Sequence, residues 1–165
     1  MIRMLPLPKT NTSHLDHSMT FTDLKAEELD VLIERAASVE FADGETIIGQ
    51  GSMPDGIFVI VRGTVRVRFE AAGSGSAGFS MEFSQLGAGN IFGEMSFLDH
   101  EGASANVIAQ GDVDVLCIPT AAIDTISHID YTFAGRFYQS LAKTLSRRLR
   151  DMNARLIGGM RQSMS

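Results

Sequence analysis

The chain has 165 residues, of which 44% are hydrophobic and 21% charged, and its net charge is −6. Such values are typical of one globular domain with a flanking helix or arm, large enough to fold without disulfides or metals. They exclude a disulfide scaffold, because Cys117 is the only cysteine, and a membrane span, because no stretch approaches the roughly 20 apolar residues required. The N-terminus lacks a secretory pattern, so we expect a cytoplasmic protein.

The two ends of the chain differ in charge. Residues 1–129 contain 7 Lys and Arg against 18 Asp and Glu, a net of −11, whereas residues 130–165 contain 7 against 2, a net of +5. Such a split can mark a nucleic-acid or membrane contact, or a basic helix that docks on an acidic body, its own or a partner's. We favour the docking helix, because the basic segment is also amphipathic.

The first elements are an arm and a helix. Residues 1–18 show no periodicity and are predicted to form a flexible N-terminal arm. The segment TFTDLKAEELDVLIERAASVEF then predicts a helix of about three turns, capped by Thr22 or Asp23, with acidic residues in its first turns. Its apolar stripe consists of Leu24, Leu29, Leu32 and Ile33.

The middle of the chain, residues 40–119, is predicted to be mainly β. Closely spaced glycines separate short β-branched runs, which indicates tight turns between strands. In GTVRVRFE the valines alternate with Arg66 and Arg68, so the arginines are predicted to face away from the valine side. About eight short antiparallel strands result, the last two separated at Gln110-Gly111, which predicts a double-stranded β-helix or jelly roll of the cupin-like type.

One hairpin of the predicted roll has a distinct composition. The segment EAAGSGSAGFS is rich in Gly and Ser and is predicted to be a flexible tip. The following FSMEFSQL alternates again, so Phe79, Met81 and Phe83 are predicted to point inward.

The C-terminal region predicts a long amphipathic helix over about 131–156. A shorter helix with Thr120 as its cap fits the segment before it, and residues 157–165 are predicted to be a frayed tail. The domain would therefore span residues 19–156. The apolar stripe recurs at steps of four, four, four, four, three and four, at Phe133, Phe137, Leu141, Leu145, Leu149, Met152 and Leu156.

Three motifs carry a resemblance to a known family. The pattern F-x-x-G-E-x-I-I-x-Q-G occupies residues 41–51, and FVIVRGTV follows at 58–65. The pattern L-x-x-G-x-x-F-G-E occupies residues 86–94. Together and in this order they resemble the cyclic-nucleotide-binding domain of catabolite-activator-type regulators, protein kinase A regulatory subunits and cyclic-nucleotide-gated channels, over roughly residues 20–156.

The resemblance implies a phosphate-binding cassette that opens at the Gly-Glu turn. Backbone N–H groups at the start of a helix suit an anion, and in the family the glutamate accepts a hydrogen bond from the ribose 2′-hydroxyl. A later arginine of the family pairs with the cyclic phosphate; when Val107 is aligned with the valine that closes the cassette, that position is Ala103. The ligand-binding residues that the resemblance implies are Gly93, Glu94, Met95, Ser96, Ala103 and Ser104.

The absence of that arginine predicts weak binding of cyclic AMP or cyclic GMP, or none. No Lys or Arg occurs between Arg68 and Arg136. A charge-assisted hydrogen bond contributes roughly 1.5–3 kcal/mol, so its loss weakens binding about tenfold to a hundredfold or more. Nearby carboxylates repel phosphate in addition.

Three functions remain open. The first is a regulatory domain that binds a cyclic nucleotide through backbone groups, Glu94 and Ser104. The second is a degenerate pocket that serves as a protein-interaction or dimerisation module and regulates an unidentified partner protein. The third is a cupin-like metal enzyme, which is disfavoured because no His cluster lies on a strand. We therefore expect a non-enzymatic signalling domain with no catalytic residues, no metal and no cofactor.

We expect a homodimer formed through the C-terminal helix. The dimer seam, or a ligand-driven motion of the helix, is assigned to Phe133, Phe137, Leu141, Leu145 and Leu149. The basic residues Lys143, Arg147, Arg148 and Arg150 are interpreted as the solvated face of that helix. Direct DNA binding is not expected, because nine residues follow Leu156, too few for a helix-turn-helix domain.

Overall fold

The computed structural model describes residues 4–5, 20–71 and 78–163, with side chains described over 20–71 and 78–159. The elements in chain order are β1 (Met4–Leu5), α1 (Ala26–Arg35), β2 (Ala37–Phe41), β3 (Thr46–Ile48), β4 (Gly56–Ala71), β5 (Phe79–Gly87), β6 (Ile91–Phe92), α2 (Glu94–Asp99), β7 (Asn106–Pro119), α3 (Thr120–Ile129) and α4 (Tyr131–Ser163). This is an antiparallel β-roll with flanking helices and a long C-terminal helix, so the predicted fold class is confirmed.

Two long strands organise the roll. β4 pairs with β5, β6 and β7, and β7 pairs with β2, β3 and β4, all antiparallel. The prediction of about eight short strands was wrong for these two, which have 16 and 14 residues. Each strand continues through a bend. The register between β4 and β7 shifts on both sides of Arg62, and opposite this shift Gly111 takes φ 71°. Gln110-Gly111 therefore bends β7 without ending it.

Gly63 makes the bend in β4 possible. It takes φ 90°, and a Cβ at this position would lie 2.4 Å from the carbonyl oxygen of Asp112 on β7. Only glycine tolerates both conditions. The bend lets one strand serve both ends of the roll, with β6 on one side and β5 on the other.

The core has two parts. One lies inside the roll and is centred on Val65, Val113 and Val115, each fully buried. The other lies between the roll and the helices. Its members from α1, α3 and α4 are Leu32, Ile123, Phe133, Phe137 and Leu141, all at most 1% exposed.

The start of α1 differs from the prediction. The N-cap is Lys25, whose backbone N–H donates to the Glu28 carboxylate at 2.8 Å, and neither Thr22 nor Asp23 caps the helix. Asp23 interacts with α4 instead, because its backbone N–H donates to Ser140 Oγ at 3.1 Å and its carboxylate accepts from Lys143 Nζ at 2.5 Å. The contacts of Asp23 with α4 thus replace the capping role that the local sequence predicts for it.

The prediction that Phe79, Met81 and Phe83 point inward was wrong. Their exposed fractions are 56%, 42% and 41%. β5 is the terminal strand of the sheet order, and its first half pairs with Arg68–Ala71, beyond the last fully buried residue of β4. Alternation alone does not reveal that this hairpin extends past the core.

The predicted ends of the domain also differ from the structure. Of the predicted arm, Met4–Leu5 form β1, which pairs with Ser38 and Val39, and the rest of residues 1–18 lies outside the described part of the chain. The predicted hairpin tip falls mostly on 72–77, also outside it. α4 continues to Ser163, so the predicted frayed tail is largely helical. None of the helices described here could cross a membrane.

Candidate ligand-binding site

The cassette begins where β6 ends. Gly93 takes φ 82° and turns the chain into α2 at Glu94, and a Cβ at Gly93 would lie 2.9 Å from the carbonyl oxygen of Gly56. A left-handed turn this close to another backbone requires glycine. The turn buries Glu94 and Ser96 at 3% and 5% exposure and leaves Met95 exposed.

A loop places Ala103 and Ser104 opposite this turn. The Ala103 N–H donates to the carbonyl of Ser52 at 2.8 Å, and the Ala103 carbonyl accepts from the Gly51 N–H at 2.7 Å. The loop is therefore fixed by backbone pairing against the glycine-rich turn after β3. A methyl group stands where the family resemblance expects a guanidinium.

The cassette borders a hollow of about 130 Å³. The structure brings all six predicted ligand-binding residues around it: Gly93, Glu94, Met95, Ser96, Ala103 and Ser104. The rest of the wall is mainly apolar, with Leu86 and Val107 among its residues, and neither Arg66 nor Arg68 lines it. The hollow has room for several water molecules, since one water needs at least roughly 10–15 Å³.

A residue from α4 that the sequence analysis missed also lines the hollow. Arg148 Nη1 donates to Glu94 Oε1, and its Nη2 donates to the carbonyl oxygen of Ile91. The Glu94 side chain is 4% exposed and that of Arg148 is 26% exposed. The interpretation of Arg148 as part of a solvated face was therefore wrong, because its guanidinium neutralises the buried carboxylate of the cassette.

Helix geometry contains the signal that could have found Arg148. Each residue of an α-helix advances about 100°, so the seven-residue step from Leu141 to Arg148 falls within about 20° of two full turns. Arg148 thus lies on the same face as Leu141, which is fully buried. By contrast, each step of four advances about 40° beyond a turn, so Leu149 lies about 160° from Phe133.

This drift divides the predicted dimer or switch residues into two groups. Phe133, Phe137 and Leu141 are buried at 1%, 0% and 0% in the chain's own core, whereas Leu145 is partly buried and Leu149 is 60% exposed. The first three therefore cannot form a seam between copies while that core is intact. Of this predicted set, Leu149 on the outer part of α4 is the residue left exposed for a seam.

Two further ion pairs join α4 to the segment around α1. Arg136 pairs with Glu28, and Lys143 with Asp23. The Arg136 guanidinium lowers the pKa of the Glu28 carboxyl, and the Lys143 ammonium lowers the pKa of Asp23. The Lys143 side chain is 57% exposed, in line with the predicted solvated face, and it also pairs with Asp23 in the segment before α1. The basic helix docks on the acidic body of its own chain.

The described residues contain no group of three or more His, Cys, Asp or Glu side chains that could hold a metal ion. Burial raises the pKa of the Cys117 thiol, which makes it a poor nucleophile at neutral pH. The arrangement favours ligand recognition by a carboxylate, hydroxyls and backbone groups.

Comparison with known proteins agrees with this geometry. The sequence profile of the cyclic nucleotide-binding domain matches residues 38–129, more than half of the chain. The chain is 38% identical over 82 residues to a cAMP-dependent protein kinase type II regulatory subunit from Drosophila melanogaster, a match that covers 50% of this chain and 20% of the relative. It is 29% identical over 143 residues to the Cyclic AMP receptor protein of Thermus thermophilus, covering 84% and 61%.

The fold has solved counterparts. A cyclic nucleotide-binding domain from Methylobacillus flagellatus superimposes with a TM-score of 0.78 at 21% identity, covering 88% of this chain and 82% of that one. The chain spans only part of its curated relatives, about a fifth of one and three fifths of the other. By name, these relatives are a regulatory subunit and a receptor protein, not enzymes. The chain belongs to the cyclic nucleotide-binding domain family.

Proposed function

We propose that this chain is a regulatory module whose cassette binds cyclic AMP or cyclic GMP weakly. One observation carries the proposal: the cassette frame is complete, yet Ala103 supplies no charge and Arg148, the only cationic residue that lines the hollow within the described residues, is paired with Glu94. The site can therefore offer hydroxyls and backbone N–H groups to a nucleotide, without a free guanidinium for its phosphate. Its location in the cytoplasm stays a prediction.

The proposal is tested by restoring the missing cation. In Ala103→Arg, the new guanidinium would enter the hollow beside the cassette and should tighten cyclic AMP binding about tenfold to a hundredfold. Calorimetric titration of both proteins measures the change. Ala121→Arg adds the same charge at an exposed position on α3 and should leave affinity unaltered. If neither the wild-type chain nor Ala103→Arg binds at millimolar nucleotide, the nucleotide function is wrong.

A second role, as a dimerisation module, is favoured by the outer part of α4. Leu149, Met152 and Leu156 are 60%, 49% and 58% exposed and, with Leu145, repeat at four, three and four residues. This spacing is that of the apolar seam of a coiled coil. We propose a second copy of the chain as the occupant, with the dimer then presented to a partner protein. The absence of direct DNA binding by this chain stays a prediction.

A further inference from the structure

We propose that Arg148 is a built-in competitor for the ligand site: it occupies Glu94 in the resting protein, and a nucleotide gains the carboxylate only when Arg148 leaves it. The inference rests on the proposed function, because it assumes that the cassette receives a nucleotide. It goes further by naming the residue that keeps affinity low and by linking the ligand site to α4.

In the resting protein, Arg148 limits access to Glu94. The Glu94 side chain is 4% exposed, and its Oε1 accepts from Arg148 Nη1. It is the only carboxylate that lines the hollow among the described residues. A ligand hydroxyl that approaches this carboxylate therefore meets a guanidinium that already pairs with one of its two oxygens.

The guanidinium of Arg148 is bound at both Nη groups. Its Nη1 and Nη2 donate to Glu94 and to the Ile91 carbonyl, so both ends are held by the β6–α2 corner. Its Nε is buried and has no hydrogen-bond partner among the described residues. Both Nη groups are therefore fixed at this corner and Glu94 balances the charge of the guanidinium, so Arg148 acts in the resting state as a plug and not as an anion clasp.

Competition between Arg148 and the ligand has a consequence for α4. Arg148 sits at the junction between the part of the helix buried on the roll and the exposed part that begins at Leu149. Releasing it removes the ion pair that anchors this junction to the cassette. Ligand binding and release of the outer helix are then coupled. The apparent affinity equals the intrinsic affinity multiplied by the fraction of molecules in which Arg148 has left Glu94.

The decisive experiment is titration of Arg148→Met with cyclic AMP. Methionine keeps an apolar side chain of similar reach without the donors, so we expect cyclic AMP to bind about tenfold tighter or more than to the wild-type chain. Arg150→Met removes the same charge from an exposed position on the same helix and should leave affinity unchanged. Weaker or unaltered binding by Arg148→Met, or an equal gain in Arg150→Met, would overturn the inference.

The outcomes separate this inference from the proposed function. If the wild-type chain does not bind and Arg148→Met does, the proposed weak binding fails while the competitor role stands. If the wild-type chain binds and Arg148→Met binds no tighter, the reverse holds. If neither binds, both fail.

A second variant covers the case in which Arg148→Met does not fold, because Glu94 would then be buried without its partner. Arg148→Gln retains an amide NH2 group that can donate to Glu94, and it should bind cyclic AMP more tightly than wild type, by a smaller factor than Arg148→Met. Hydrogen exchange of the wild-type chain adds an independent readout. Saturating cyclic AMP should speed exchange of the amides over 149–157, and a saturated protein with unchanged exchange there would contradict the release of α4.

Discussion

The two parts of α4 behave differently although their sequences look alike. Up to Thr144 the helix packs against α1, α3 and the roll, with Phe133, Phe137 and Leu141 almost wholly buried. From Leu149 onward the apolar side chains are exposed. Arg148 lies between the two parts and faces the cassette. One apolar stripe in a sequence can thus serve two surfaces, because steps of four rotate around a helix that turns every 3.6 residues.

The largest difference between the two parts of α4 is expected in the stability effects of two side-chain truncations. Phe137 is fully buried, with ring centroids of Phe21, Phe133 and Phe97 at 5.5, 5.6 and 6.0 Å. Phe137→Ala should lower the free energy of unfolding by about 3–5 kcal/mol, because it removes core contacts and leaves a cavity. Denaturant titration at a concentration where the chain is monomeric gives the value.

The matched truncation on the outer part is Leu149→Ala, which should change stability by no more than about 0.5 kcal/mol. Comparable losses for the two variants would show that the outer part is packed in the monomer and would remove the distinction.

An intermediate effect is expected at the proposed seam. Leu149→Asp places a charge in an apolar contact between copies and should weaken dimerisation by about 2 kcal/mol, or roughly thirtyfold. Sedimentation equilibrium or light scattering over a dilution series measures the shift. Ile129→Asp introduces the same charge at a side chain that is 78% exposed at the end of α3, off the stripe. A dimer equally sensitive to both changes, or a monomeric wild-type chain, would exclude the seam.

The smallest effect concerns the ion pair that holds the inner part of α4 to α1. Arg136 lowers the pKa of Glu28 below its ordinary value of 4.5. Because the folded-state pKa is the lower one, this pair contributes stability that is complete above about pH 4.5 and is lost as the pH falls through the folded-state pKa. Glu28→Gln should therefore be less stable at neutral pH, and its stability should decline less steeply in acid.

Thermal unfolding from pH 7 to pH 3 follows this decline, with Glu27→Gln, an exposed carboxylate in the same helical turn, as control. Parallel curves for wild type and Glu28→Gln would remove the Arg136 pair as a pH-dependent tie.

The sequence predicted most of the frame of this protein and less of its site chemistry. Gly93 marks a turn and Gly63 a bend within β4, because glycine readily adopts a positive φ. The β-rich middle and the long helix could be predicted from such local rules, and the cassette from the family resemblance. Helix periodicity could have placed Arg148 on the buried face of α4, but no local rule identifies its partner Glu94, which is 54 residues away in sequence. The inward orientation predicted for Phe79 and Met81 was wrong for a similar reason. Burial depends on which elements cover a strand, and the alternation of apolar and polar residues along the strand does not show this.

The unbroken course of α4 through Arg148 has a mechanical consequence. At 1.5 Å per residue, the segment from Arg148 to Ile157 extends about 14 Å as a stiff rod. A tilt of about 10° at Arg148 would carry the far end of this rod roughly 2 Å, a shift comparable to the one-to-two-ångström helix movements that switch subunit interfaces. A rearrangement no larger than one side chain at the cassette could thus be amplified into a change that a neighbouring molecule detects.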